Sequence, residues 1–267
     1  MLTREILVEH PFPKLVKTKK LGRRDSGQVG GRPPRTRKSS ELMISIIIPA
    51  HNEENYLPKT LAALSRQTHR NIEVIVVANG CTDKTAEVAR GHCHQLIVLS
   101  QKGLGVARNL GARMATGDLL LFLDADTLFA PHALELIAEE FNPECAAGTL
   151  KGEPDCLRLK YKMIYGLKNF MHRSGLHEGS SGVILCWKNH FIKTGGFDEG
   201  LQVRENSELI RRLRRFGKYK YVSDVAAVTS MRRYDQRGCG CMIWMWVKLW
   251  FQSLFVDLHD RQYETIR

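Results

Sequence analysis

The amino-acid sequence predicts an α/β fold with a mostly parallel central sheet flanked by helices, and two observations carry that expectation. Four apolar runs, 44–48, 74–77, 96–99 and 119–123, are short and rich in Ile, Val and Leu, as strands buried on both faces should be. Between them lie segments whose apolar residues recur at helical spacing, and strand–helix alternation at this interval builds parallel sheets. In such sheets ligands bind beyond the carboxyl ends of the strands. The polar residues that follow each run are therefore expected to converge.

The elements follow in order. The run 44–48 stops at Pro49, and Asn52 is placed to cap a helix near 53–66, whose Leu57, Leu61 and Leu64 share one face. Residues 74–77 give a second strand, Thr82 or Asp83 caps a helix over 84–92, and 96–99 is a third strand. Gly103 and Gly105 lead into a helix ending at Met114. A fourth strand covers 119–123, and Pro131 opens a helix to Phe141. The second half is less regular. It offers a strand over 144–152, a long helix over 155–174 and a Gly/Ser-rich, then apolar stretch at 179–186. A basic helix over 205–216 and short strands at 219–222 and 226–228 complete it. This half reads as an elaboration of the same sheet, and no internal repeat is present.

Charge and cysteine usage narrow the function. The 267 residues carry a net charge of +12, which by itself suggests nucleic acid or an anionic surface. Residues 1–40, however, hold eleven Lys and Arg against three Asp and Glu, a surplus of eight. The sequence thus divides into a basic arm over 1–42, read as disordered apart from a stretch at 6–16 that can dock, a folded domain over 43–235, and an apolar, amphipathic helix over 236–267. No basic motif interleaved with aromatics marks nucleic acid as a partner, and the Gly-rich pyrophosphate cradle of a nucleotidyltransferase is missing. Seven cysteines without regular spacing fit a reducing, cytoplasmic compartment better than a disulfide framework. Neither 92–94 nor the Cys239/Cys241 pair has the spacing of a zinc site. The most apolar stretch, 242–255, is shorter than the ~20 residues a membrane span needs. It suits either packing across the domain or, with the basic arm, peripheral contact with an anionic membrane at its cytoplasmic face.

The chemistry centres on Asp124-Ala125-Asp126, which directly follows the fourth apolar run. Two carboxylates at the open end of a strand are hard oxygen ligands suited to Mn²⁺ or Mg²⁺, and such a cation offsets charge on a leaving diphosphate. The plainer alternative is a solvated loop or helix cap.

Five segments then add up to a resemblance. Residues 45–53 (SIIIPAHNE), 76–85 (VVANGCTDKT), 103–111 (GLGVARNLG), 124–126 (DAD) and 195–199 (GGFDE) resemble, in order, the motif blocks of family-2 glycosyltransferases, covering about 43–235. The resemblance implies the GT-A fold with an acceptor-side elaboration, a nucleotide-diphosphate sugar donor (UDP favoured, GDP open), and inversion at the anomeric carbon. The acceptor would be a glycan, a lipid-linked sugar or a small molecule. Carried over residue by residue, it places Pro49, His51, Glu53, Asn79 and Asp83 around the base and ribose. It places Arg108 near the diphosphate or ordering the loop beside it; a structural ion pair is the plainer alternative. Asp126 would bind metal directly, with Asp124 beside it facing ribose or sugar. Glu178, Ser181, Gly182, Gly196, Phe197 and Asp198 fall on the acceptor side.

Two departures stand out. Asn79 occupies a position the family usually makes acidic, and an amide still pairs with a base edge. Asn206 stands where the family usually has the aspartate that takes the acceptor proton, and an amide is no base. Glu205 is then the substitute, with Glu208 one turn further on. Arg232 and Arg233, in the Ser-Met-Arg-Arg segment that follows the last predicted strand, suit bidentate phosphate recognition; a solvated basic turn is the alternative. Without a histidine in that segment, coordination rests on the aspartates, diphosphate and water.

Overall fold

A computed structural model of the protein describes residues 3–8, 39–180, 182–201, 203–242 and 244. Its elements run β1 (Arg4–Val8), β2 (Ile44–Ala50), α1 (Leu57–Ser65), β3 (Ile72–Asn79), α2 (Thr85–Ala89), β4 (Gln95–Leu99), α3 (Leu104–Met114), β5 (Leu119–Leu123), β6 (Thr127–Phe129), α4 (Ala133–Glu140), β7 (Cys145–Pro154), α5 (Leu159–Arg173), β8 (Val183–Trp187), α6 (Lys188–Thr194), α7 (Glu205–Leu213), β9 (Lys218–Thr229) and α8 (Arg232–Arg237). Among the described residues nine strands form one sheet in the order β1-β4-β3-β2-β5-β8-β7-β9-β6. The half from β1 to β5 is wholly parallel. Beyond β5, β8 runs antiparallel to both its neighbours and β6 runs antiparallel to β9.

Every residue of β2 and β5 is buried, so alternate side chains feed two cores. Ile46, Ile48, Leu121 and Leu123 pack with Leu57, Leu61, Leu134 and Ile137 of α1 and α4. Ile47, Leu120 and Phe122 pack on the opposite face with Ala107 and Leu110 of α3 and with Leu209 and Ile210 of α7. α3 lies so close to the sheet that a Cβ at Gly111 would overlap Ile47, which accounts for that glycine. Pro49 sits inside β2, where β5 has already stopped pairing at Ile47 and β3 alone continues to Ala50. A buried carboxylate fixes the approach to β5. Glu73 accepts from the Ser45 hydroxyl, from the Thr116 backbone N–H and hydroxyl, and from the Gly117 N–H. Burial opposes its charge, but these donors prevail and hold its pKa below the usual carboxylate value.

Several expectations need correction. The arm is not wholly unstructured: Arg4–Val8 forms an edge strand parallel to β4, with Val8 in the second core and Thr3 donating to the Cys93 carbonyl at 2.7 Å. Residues 1, 2 and 9–38 of the arm and most of the predicted C-terminal helix lie outside the described residues, while Leu42 is buried in the first core. Asn52 does not cap α1, which begins at Leu57. It takes a positive φ of 56° and accepts the Thr82 N–H at 2.8 Å. The two short strands expected at 219–222 and 226–228 are one strand, β9. Its register against β7 jumps from Val222 to Ala226, and that bulge interrupts the apolar pattern. β6 and α6 had no strong sequence signal. β6 has three residues, and α6 begins at Lys188 without a side-chain cap.

Candidate active site

The carboxyl ends of β2, β3 and β5 open onto one region, as parallel-sheet geometry requires. On its β3 side the loops tie one another down. His51 Nδ1 meets the Asn79 carbonyl at 2.8 Å, and the buried Asn79 Oδ1 accepts the Gly103 N–H at 2.8 Å. Gly80 has a φ of 61° and lies against the backbone of Lys102, where a Cβ would come within 2.7 Å, so glycine is required there. Asp83 accepts the Thr85 N–H at 3.0 Å and the Glu54 N–H at 3.2 Å. Burial works against its charge, yet these bonds keep its pKa below the ordinary value.

At the centre Arg108 of α3, 4% exposed, gathers three oxygens, one from the turn after β5 and two from the start of α7. Its Nη2 reaches Asp124 Oδ1 at 3.3 Å, and its Nη1 reaches Glu205 Oε1 at 3.1 Å and Asn206 Oδ1 at 2.8 Å. Its guanidinium lies 5.1 Å from the centre of the Phe197 ring. Phe197 in turn is clamped by Asn109, which bonds both its N–H and its carbonyl, and packs edge-on to Phe122. Asn206 Nδ2 donates to Ser180 Oγ at 2.7 Å. The Asp124 N–H donates to the Gly182 carbonyl at 3.0 Å. A Cβ on Gly182 would lie 3.0 Å from Thr127 Oγ1 and 3.6 Å from Asp124 Oδ2.

A second cluster faces the first. β6 pairs with the end of β9, and the Ser230 N–H donates to the Asp126 carbonyl, so the Ser-Met-Arg-Arg segment is brought to the Asp-Ala-Asp turn. Arg232 hydrogen-bonds Glu53, lies 3.3 Å from Asp126 Oδ2, and stacks 4.2 Å over the Tyr56 ring. Burial disfavours its charge, but Glu53 and Asp126 hold it more firmly protonated than usual. Asp126, only 8% exposed against 39% for Asp124, has its pKa pushed up to about 6, first by burial and then by Asp124, with Arg232 and Arg233 pulling the other way. Glu53 Oε2, Arg108 Nε and Arg232 Nε are buried without a hydrogen-bond partner, a state that asks for a ligand or water.

A family model for glycosyl transferase family 2 matches residues 45–235. The chain belongs to that family. Among curated relatives, this family-2 chain is 27% identical over 182 residues to an uncharacterized glycosyltransferase of Haemophilus influenzae, covering 64% of this chain and 62% of the relative. It is 36% identical over 141 residues to 4,4'-diaponeurosporenoate glycosyltransferase of Staphylococcus haemolyticus, covering 50% and 35%. The chain spans less than two thirds of the length of either. Two solved structures share the GT-A fold. Residues 1–349 of Staphylococcus aureus TarS with UDP-GlcNAc align at TM-score 0.55 and 20% identity over 71% of this chain and 58% of that one. The mannosyltransferase PcManGT of Pyrobaculum calidifontis, with GDP-Man and Mn²⁺, aligns at TM-score 0.59 and 18% identity over 76% and 59%.

The family-2 fold brings together most of the residues expected from sequence. His51, Glu53, Asn79, Arg108, Asp124, Asp126, Gly182, Glu205, Arg232 and Arg233 all belong to the strand-end region. Others serve elsewhere. Pro49 is buried in β2. Glu178 pairs with Arg214 at 3.0 Å, just past the far end of α7 from Glu205. Glu208 is taken up by Arg211 and Arg212 on its own helix. Gly196 and Asp198 flank the buried Phe197, and the Asp198–Glu199 backbone presses on Gly105 of α3. That block is a platform under Arg108 rather than an open acceptor surface. Ser181 lies outside the described residues. Sequence reasoning missed Tyr56, whose ring underlies Arg232; an aromatic in a turn carries no periodic signal.

Proposed function

We propose that this chain transfers a sugar from a nucleotide-diphosphate donor, UDP favoured, to a hydroxyl acceptor with inversion at the anomeric carbon. The observation that carries the reading is the pair of facing charge clusters. Arg108 joins the strand-end Asp124 to Glu205 at the start of an acceptor-side helix, and Arg232 joins Asp126 to Glu53.

The donor set fits a divalent cation. Asp124 and Asp126 are oxygen ligands, burial leaves Asp126 short of compensating charge, and Glu53 Oε2 is a buried acceptor with no donor. Among the described residues no group of three metal-ligating side chains forms a closed cage, which suits an ion that draws its other ligands from diphosphate and water. Mn²⁺ or Mg²⁺ held by Asp126 and Asp124 would supply positive charge against the departing diphosphate. Arg232 and Arg233 add fixed positive charge on the same side, preorganised and mostly dry. Arg108 positions Glu205, which takes the proton from the acceptor hydroxyl as its oxygen bonds the anomeric carbon and the bond to diphosphate breaks. Asn206 holds Arg108 and Ser180 in place and moves no proton.

Calorimetric titration with UDP, GDP, CDP and dTDP, each with Mn²⁺ and with EDTA, tests the donor site. One diphosphate should bind only with metal and lose that binding in Asp126→Ala. Folded protein that binds none of them refutes the reading. Glu205→Gln should keep diphosphate binding and lose transfer. A wild-type chain that binds donor but neither transfers nor hydrolyses it would instead be a donor-binding member of the fold, the reading that Asn206 favours.

A further inference from the structure

The helix that backs the candidate site turns an apolar stripe outward. On α5, Leu159, Met163, Leu167 and Phe170 are 62–72% exposed. At ~100° per residue they fall within about 80° of one another, so they form one continuous face. Leu157 before the helix and Leu176 after it extend the stripe and are exposed as well. The opposite face is anchored in the protein. Tyr161 and Tyr165 are buried in a cluster with Met231, Tyr234 and Met242, and Asn169 bonds the backbone of Gly152 in both directions. The exposed face is thus not a loosely packed inner face. It is a second apolar surface on a helix whose first is already covered.

Charge selects the partner. α5 contains Lys160, Lys162, Lys168, His172 and Arg173 and no acidic residue. Lys160 borders the stripe on one side and Lys162 and Arg173 on the other, and all three are exposed. Leucine and phenylalanine between flanking cations describe a helix that lies in the interfacial plane of a bilayer with anionic headgroups. A protein groove would not require cations along both borders. Trp244, 69% exposed, follows Met242 of the same cluster and adds an amphipathic ring.

We propose that α5 docks the protein on an anionic membrane surface, with Leu159, Met163, Leu167 and Phe170 entering the headgroup–acyl boundary and Lys160, Lys162 and Arg173 at the phosphates. The docked face and the catalytic clusters share a wall: Tyr161 and Tyr165, on the inner side of α5, pack with Met231 and Tyr234, which flank Arg232 and Arg233 in the chain. An acceptor held in the membrane would then reach the site along the edge of α5. That last step rests on the proposed transferase reading; the docking does not.

Flotation of the full chain with phosphatidylcholine vesicles, with and without a third of phosphatidylglycerol, tests the idea. The wild type should float with the anionic vesicles only. Leu167→Glu/Phe170→Glu should cut the floated fraction at least tenfold. Lys160→Gln/Lys162→Gln should reduce it several-fold and weaken its dependence on anionic lipid. Melting curves and metal-dependent diphosphate binding like those of the wild type would show these surface variants to be folded with the donor site intact. Loss of diphosphate binding in the wild type, by contrast, strikes the transferase reading and leaves docking standing. No flotation of the wild type, or equal flotation of Leu167→Glu/Phe170→Glu driven by the basic arm, overturns the proposal. So does a wild-type dimer that these substitutions make monomeric, since the stripe would then bind a second copy. A chain truncated after Met242 that floats much better than the full chain overturns it as well, because the C-terminal segment would then be the occupant.

Discussion

The two halves of the sheet are built on different terms. From β1 to β5 the strands are parallel, with β2 and β5 buried on both faces, and what they contribute to the site is strand ends and turns. Beyond β5, β8 and β6 reverse direction, and β7 and β9 carry a bulge. Charged side chains there, Glu205, Arg232 and Arg233, come from the first turns of α7 and α8. Burial holds both halves, but only the second is also tied by ion pairs that reach across to the first. Arg108 is the clearest such link, since it belongs to α3 yet binds Glu205 and Asn206 of α7.

Cutting that link should have the largest effect. Arg108→Met leaves Glu205, 12% exposed, and Asn206 without their shared donor. Breaking one side of a buried charge group costs about 3–5 kcal/mol, and loss of a preorganised donor lowers turnover by roughly 10²–10³-fold. Both should appear together, in a urea titration and in a transfer assay. Full stability with lost transfer would mean that the two halves are joined by packing alone.

In the first half the same cost in stability should come without any loss of chemistry. Ile46→Ala empties a fully buried position four residues before the carboxyl end of β2. It should cost ~2–5 kcal/mol, seen as a lower urea midpoint. Diphosphate affinity, measured well below that midpoint, should match the wild type. A parallel loss of affinity would show that the strand ends are not rigid.

These two substitutions also show what the sequence makes legible. Ile46 is readable because a parallel strand buried on both faces leaves no choice of residue type, so the runs at 44–48 and 119–123 fell where β2 and β5 lie. The Asp-Ala-Asp turn was readable because such strands aim their ends at one place, and Arg108 only because its block resembles that of family-2 glycosyltransferases. Other features depended on contacts distant in sequence. Glu73, just before the 74–77 run, carries no sequence signal of its own, since its burial depends on Ser45, Thr116 and Gly117. Phe197 looked like an acceptor contact because its motif is recognisable, while its burial under Arg108 depends on Asn109, 88 residues away. Arg4–Val8 was lost in a basic arm because an edge strand needs only one apolar face.

The half beyond β5 should reveal itself through pH. His172 on α5 is buried; it meets the His177 carbonyl at 3.0 Å and stacks on Tyr221. Burial, reinforced by His177, pulls its pKa down from 6.5 to about 4. Between those values the unfolded chain binds a proton that the folded chain refuses. Its contribution is therefore complete above pH 6.5 and lost as pH falls toward 4. The loss along that limb is on the order of 2–3 kcal/mol. Urea midpoints from pH 7 to 4.5 should fall less steeply in His172→Phe. An unchanged slope would place the proton uptake elsewhere.

The smallest effect belongs to the outer edge of the parallel half. β1 touches the sheet on one side only: Leu7 points to solvent at 74% exposure, while Val8 is 8% exposed in the second core. Val8→Ala removes two methyl groups from a site that solvent and neighbouring chain can partly refill. The cost should therefore stay near ~1 kcal/mol, below the fully buried value for the same atoms. Amide exchange should separate the cases: the β1 amides paired with Gln95–Leu99 should exchange faster in Val8→Ala, while those of β2 and β3 stay protected. Equal exchange in β1 before and after the change would mean that the strand is held by its ladder and by Thr3 alone. The first-half rule, stability from burial, would then stop at β4.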